Sequence, residues 1–350
     1  MNMKNSVKLI FASTLLTALC SCAGNLETTD GEGRPLGFDV AVGGGASGVS
    51  KAQDSTKAVL KDGFTDGDKF KVYAYDGATA VMSGVPVTKS NGNWTYSGTY
   101  LWIKDRTMNF YAFYPESMAG CFAGKISPTG VSAFTYSPFE DDGKEINGQT
   151  DLLLATYSGT GIGGKAPLNF NHPLASIQFK CGNLDPSFGE INSIEIKGFY
   201  DYGTCTPTCG ETSVTYAWSD QNYSSSATLS QSGLGVTPAS DVAIGTPFIL
   251  IPGQNLSSNN LVVKVTGSTG RTAAGTLSQD TSLVAGMTSE FKINLTDSGK
   301  ISFDPVTVTA WGFNTGGSVN ANQVNPTSFD DVTLTGWGTV DSGNADVEEK

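Results

Sequence analysis

The residues of this chain best suited to covalent chemistry sit in Leu19-Cys20-Ser21-Cys22, at the end of an apolar run from Leu9 to Leu19. Lys4 and Lys8 precede the run, which has the length of a signal-peptide core and is too short to cross a bilayer as a helix. An aliphatic residue, then small residues, then a cysteine is the lipobox pattern. Residues 1–21 therefore read as a lipoprotein signal peptide and Cys22 as the cysteine that takes the lipid. The plainer alternative is secretory cleavage after Ser21 or Ala23; Cys20 fits less well as the acceptor because Leu19 precedes it.

Elsewhere the candidate chemistry is thin. His172 is the sole histidine, set between Asn171 and Pro173 with no catalytic motif around it, so it reads as structural. Glu140, Asp141, Asp142 and Glu145 cluster in a Gly-containing loop, without the regular alternation of oxygen ligands that calcium sites use. Gly159-Thr160-Gly161-Ile162-Gly163-Gly164-Lys165-Ala166 satisfies most of a phosphate-binding loop. Ala166, however, brings no hydroxyl for magnesium, and Pro167 with a strand-like run follows in place of a helix. Cys205 and Cys209, around Pro207, are a candidate disulfide in an exported chain and equally a pair of reduced thiols; no second cysteine pair or histidine stands at zinc spacing. No catalytic residue, metal or cofactor is expected.

Removing residues 1–21 takes away two lysines and no acids, which carries the formal charge from −12 to −14. Such a surface repels phosphate backbones and argues against nucleic-acid partners. Charged residues are only 15% of the chain while glycine alone contributes 43, a balance that suits β-structure rich in turns.

Residues 22–56, with Gly43-Gly44-Gly45 and few large apolar residues, read as a flexible tether. From Phe64 onward the period is two. Phe70, Val72 and Ala74 alternate with Lys71, Tyr73 and Tyr75, and Met108, Phe110 and Ala112 with Asn109, Tyr111 and Phe113. Ile177, Phe179 and Cys181 share a face, as do Ile194 and Ile196; further strands are expected at Phe248–Ile251, Leu261–Val265, Phe291–Leu295 and Val306–Ala310. Many short strands between turns predict an all-β chain of sandwiches. The Gly-rich loop before Asn169–Pro173 divides residues 57–170 from residues 171–340, and the acidic 341–350 is expected to be disordered. Asn93 to Trp102 is expected to form a hairpin. Trp94, Tyr96, Tyr100 and Trp102 would then either stack on sugar rings at the surface or plug a sandwich.

The order Phe64-x-x-Gly67-Asp68-x-Phe70-x-Val72-Tyr73-Ala74-Tyr75, Phe110-Tyr111-Ala112-Phe113-Tyr114-Pro115, Asp151-Leu152-Leu153-Leu154-Ala155, Phe170-x-His172-x-Leu174-Ala175-x-Ile177 and Ile249-Leu250-Ile251-Pro252 resembles the fimbrillins, subunits and anchors of the type V pili of Bacteroidia. The resemblance implies two transthyretin-like β-sandwich domains in tandem, an outer-membrane lipoprotein precursor at the cell surface, and assembly with other pilus subunits by strand donation. In that mechanism an Arg-specific protease removes the first strand, and a C-terminal strand of another subunit fills the groove. The only arginine ahead of the first clear strand is Arg34, followed by the poor cleavage partner Pro35; Lys57, before Ala58-Val59-Leu60, is better placed. Two C-terminal segments alternate as a donor should: Val306, Val308 and Ala310, and then Val332 and Leu334; both could instead complete their own chain's sheet. A surface glycan-binding lipoprotein or tip adhesin, meeting a host or bacterial receptor through the aromatics of 94–102, is the other reading.

Overall fold

The computed structural model describes residues 34–43, 63–138, 149, 151–160, 164–296, 298–311 and 319–320; among them are strands and short 3-10 turns but no α-helix. Cys22, Lys57, the acidic residues at 140–145, Val332, Leu334 and the 341–350 tail lie outside the described residues. The first part of the chain supplies β1 (Gly37–Val42), β2 (Lys69–Asp76), β3 (Thr79–Ser90), β4 (Asn93–Thr95), β5 (Thr107–Tyr114), β6 (Ile126–Ser127), β7 (Gly130–Val131), β8 (Phe134–Tyr136), β9 (Leu153–Thr160) and β10 (Lys165–Phe170). The second part supplies β11 (Ala175–Leu184), β12 (Ile191–Cys209), β13 (Val214–Gln231), β14 (Phe248–Leu250), β15 (Val262–Gly267), β16 (Thr272–Thr276), β17 (Met287–Leu295), β18 (Ile301–Phe303), β19 (Thr307–Ala310) and β20 (Val319–Asn320).

An antiparallel sheet in the order β4-β3-β2-β5-β9 shares a core with the parallel pair β1–β10. In the second part, the sheet β14-β11-β17-β19-β20, with β18 also on β17, shares a core with β13-β12-β15-β16. Residue alternation decides what each face meets. On β2 and β5, Phe70, Val72, Ala74, Met108, Phe110 and Ala112 enter the first core. Their neighbours Tyr75, Tyr111 and Phe113 enter a third core with Phe134, Leu154, Leu174, Ile249, Ile251 and Trp311. This third cluster joins the two parts. The long β12–β13 hairpin reaches into it: Cys205 is fully buried there, and β8 pairs with Gly203–Cys205. Gly198, at φ 82°, sits in a bulge of β12, where a Cβ would stand 2.9 Å from the carbonyl oxygens of Asn259 and Asn260.

Three expectations need correction. The segment 22–56 is not tether throughout, because residues 37–42 form β1; the adjoining glycines dilute a real alternation of Leu36, Phe38, Val40 and Val42. Residues 93–102 do not pair with themselves. The hairpin turns at Asn91-Gly92, both at positive φ, so that β4 pairs with β3, while Leu101 bridges to Pro35. Cys205 and Cys209 are free thiols. They lie four residues apart on β12, whose register is unbroken from Thr204↔Ser219 to Cys209↔Val214. An extended chain separates such Cα atoms by roughly 13 Å, about twice what a disulfide spans.

Burial pushes the Cys205 thiol up to about 12. The unfolded chain releases this proton nearer its ordinary value of 9.0, so stability from the neutral thiol is complete below that pH and lost as pH rises toward 12. The slope is at most roughly 1.4 kcal/mol per pH unit. Urea unfolding at pH 8, 9 and 10 should show a steeper fall for the native chain than for Cys205→Ala, and reductant should leave the intact mass unchanged.

Candidate functional site

The feature that a fold of this kind can use is the place of its first strand. Arg34 to Leu36 lie along residues 100–102: Leu36 N–H donates to Tyr100 O at 2.9 Å, and Trp102 N–H to Arg34 O at 2.7 Å. The chain then crosses to β10, pairing in parallel from Gly37↔Lys165 to Val42↔Phe170, and Gly43 N–H closes the ladder on Phe170 O at 2.8 Å. Leu36 and Phe38 are buried, Val40 and Val42 half-buried, and Asp39 faces solvent. Phe38 meets the rings of Phe70, Tyr96 and Phe110 edge-on, with centroids 6.0, 5.8 and 6.4 Å away. Without β1 this slot would show unpaired groups of β10 and an apolar floor of Phe70, Phe110, Leu168 and Phe170, the two properties that an added strand repairs.

The four aromatics considered as a sugar platform are walls of the slot. Trp94 packs on Phe64 and Phe70 at 5.2 and 4.9 Å, and Trp102, buried, packs on Phe110 at 5.1 Å. Tyr96 and Tyr100 lie 5.7 Å apart against the same core, and the Tyr96 hydroxyl donates to Leu36 O. Residues 100–102 pair with the N-terminal segment instead of with residues 94–96, and the rings pack on the first core, Trp102 buried and Trp94, Tyr96 and Tyr100 half-buried, in place of a flat solvent-facing platform.

Arg34 is exposed but lies ahead of β1, so a cut after it leaves the strand in its slot. Lys57 follows β1 in sequence. Val306 is buried in the second core, and β19 carries Val308 and Ala310 antiparallel to β17, with Val308 opposite Ser289. This candidate donor segment completes its own chain's sheet.

The far end of the slot abuts the junction between the two parts. His172 Nδ1–H donates to Asp151 Oδ1 at 3.0 Å, with both side chains 2% exposed. The imidazole stacks on the Trp311 indole at 4.1 Å and 8°. On either side, the Tyr216 hydroxyl donates to Asn171 O and Trp218 Nε1–H to Pro173 O, at 3.1 and 3.0 Å. Sealed in this way, His172 cannot reach a substrate. Sequence reasoning missed Gln149, whose buried side chain imitates a strand: its Nε2–H donates to Ile249 O at 2.8 Å and its Oε1 accepts from Ile249 N–H at 2.9 Å. Nothing in its neighbours signals that role. No helix among the described residues is long and apolar enough to cross a membrane.

Because Phe38 is the one large ring of β1 in the slot, Phe38→Ala should lower unfolding stability by about 3–5 kcal/mol, read from the urea midpoint. Asp39→Ala, on the solvent side of the same strand, should stay within about 0.5 kcal/mol.

Comparison with known proteins adds to this geometry. Among solved structures, a candidate cell adhesion protein from Bacteroides ovatus ATCC 8483 superposes with a TM-score of 0.52 at 11% identity, over 80% of this chain and 98% of its own. A fimbrial protein from Bacteroides vulgatus ATCC 8482 gives 0.47 at 14% identity, over 79% and 99%. The tip fimbrial protein Mfa3 from Porphyromonas gingivalis, with a C-terminal truncation, gives 0.42 at 12% identity, over 70% and 95%. No curated protein matches. The fimbrillin-like family model matches residues 56–311, most of the chain, and the chain belongs to the fimbrillin-like family.

Proposed function

We propose that this protein is a lipid-anchored precursor of a cell-surface fimbria, built of two tandem transthyretin-like sandwiches and assembled by exchanging β1 for a strand of another subunit. The observation that carries the reading is β1 itself. It is a short strand, the first among the described residues, and it plugs an apolar slot whose other walls all come from later in the chain. Cys22 attaches the precursor to the outer membrane. Proteolysis in the connection 44–62, which contains Lys51, Lys57 and Lys61 but no arginine, then frees everything through β1; Lys57 is the assigned site.

The donor comes from the C-terminal segment of another subunit. Val306, Val308 and Ala310 already serve their own sheet, so Val332 and Leu334, alternating with Thr333 and Thr335, are the residues assigned to the vacated positions of Phe38 and Val40. Main-chain bonds along β10 would supply affinity, and the pockets of Phe38 and Val40 would select the side chains. The partners are therefore other pilus subunits, and the product contributes to adhesion.

Truncation after Trp311 leaves β19 in place and removes the assigned donor. In the native host this variant should still fold, judged by its urea transition, yet lose the high-mass ladder seen in unheated denaturing gels. Mass spectrometry of the surface protein should find a mature N-terminus at Ala58. An acylated Cys22 as the only N-terminus, with no ladder, would point instead to an anchor that keeps its own first strand.

A further inference from the structure

Three buried side-chain nitrogens have no hydrogen-bond partner within the protein among the described residues: Trp102 Nε1, His172 Nε2 and Trp311 Nε1. Trp102 lies beside the approach to β1, where its main-chain N–H donates to the Arg34 carbonyl, and Trp311, stacked on His172, has its main chain beside Gly43 at the end of the strand. Buried polar groups are nearly always paired, and an unpaired one has lost water without replacement. Both ends of the slot therefore hold groups that would gain by local opening.

Two strands meet at the distal end. Gly43 leaves β1 at φ 71°, so close to the Trp311 main chain that a Cβ on it would lie 3.3 Å from Trp311 O. Trp311 directly follows β19 and is fixed on its other side by its N–H donating to Gly286 O at 2.7 Å. Gly286 N–H in turn donates to Leu174 O at 2.8 Å, two residues beyond His172. Thus one residue, its indole stacked on His172 and its main chain held between Gly286 and the end of β1, roots the strand from which the C-terminal segment departs.

We propose that the Trp311–His172 stack is a latch coupling occupancy of the β1 slot to the hold on β19. While β1 is in place, Gly43 covers the Trp311 main chain and the indole stays pressed on His172. When β1 leaves, that cover goes, water reaches His172 Nε2 and Trp311 Nε1, and β19 loosens from β17. A subunit would then offer its C-terminal segment only once its own acceptor slot is open, which suppresses assembly of unprocessed precursors. The inference rests on the reading that β1 is the strand removed. The coupling itself is a property of the intact monomer and must act in both directions.

Hydrogen exchange on the full unprocessed chain tests it without any polymerisation. Trp311→Ala should speed exchange about tenfold both in β19 (Thr307–Ala310) and at Gly43 with its β1 neighbours, while β16 (Thr272–Thr276) stays unchanged. Trp311→Phe, which keeps a stacking ring, should restore much of the protection at both places. Gly43→Ala, which crowds Trp311 from the β1 side, should speed exchange in β19. If Trp311→Ala loosens β19 alone, or Gly43→Ala leaves β19 exchange unchanged, the latch is refuted and Trp311 is a local anchor. Failure of the processed protein to polymerise would count against the strand-exchange reading and leave these exchange results standing.

Discussion

Strands that bury side chains on both faces are the constraint on which this molecule depends. A sheet with one wet face needs a single partner layer, whereas β2, β5 and β9 have apolar residues on both sides and must be covered twice. One cover is β1 with β10. The other is the junction cluster, to which the second part of the chain contributes Leu174, Ile249, Ile251 and Cys205. The two parts of the chain are thereby joined by a packed core instead of by a linker alone.

Within that arrangement β1 is held by main-chain pairing and by buried side chains alike. Six parallel pairings join it to β10, and each net main-chain hydrogen bond is worth about 0.5–1.5 kcal/mol. Burying Leu36 and Phe38 adds about 1.5–3 kcal/mol each. These are moderate sums for the strand that closes the first core. The unpaired nitrogens around both of its ends lie in the same direction: they keep the filled slot from being the best conceivable packing.

Much of this was legible from residue types. The period-two runs at 70–75, 108–114, 177–181, 248–251, 261–265, 291–295 and 306–310 fall on strands, with starts or ends a residue or more off in several, because alternation is enforced locally by the pleat. What stayed hidden depends on partners distant in sequence. Leu36, Phe38, Val40 and Val42 are four apolar residues beside a glycine run, and nothing near them announces that the matching edge lies at Lys165–Phe170. The aromatics at 94–102 gave their identity but not their direction, which follows from pairing with Arg34–Leu36. The cysteine pair misled for a geometric reason: a spacing that a loop could close is too wide along a strand.

The separation of β1 from its partner also governs the order in which the molecule can be made. Gly37 pairs with Lys165, so 128 residues of chain must be present before the first rung of that ladder exists. A contact so distant adds substantially to the closure entropy that folding must overcome, and it forms late. The earliest described strand to leave the ribosome is thus among the last to find its place. Until then the chain carries an open slot and an unpaired strand at once, and the slot of one copy is complementary to the strand of every other newly made copy.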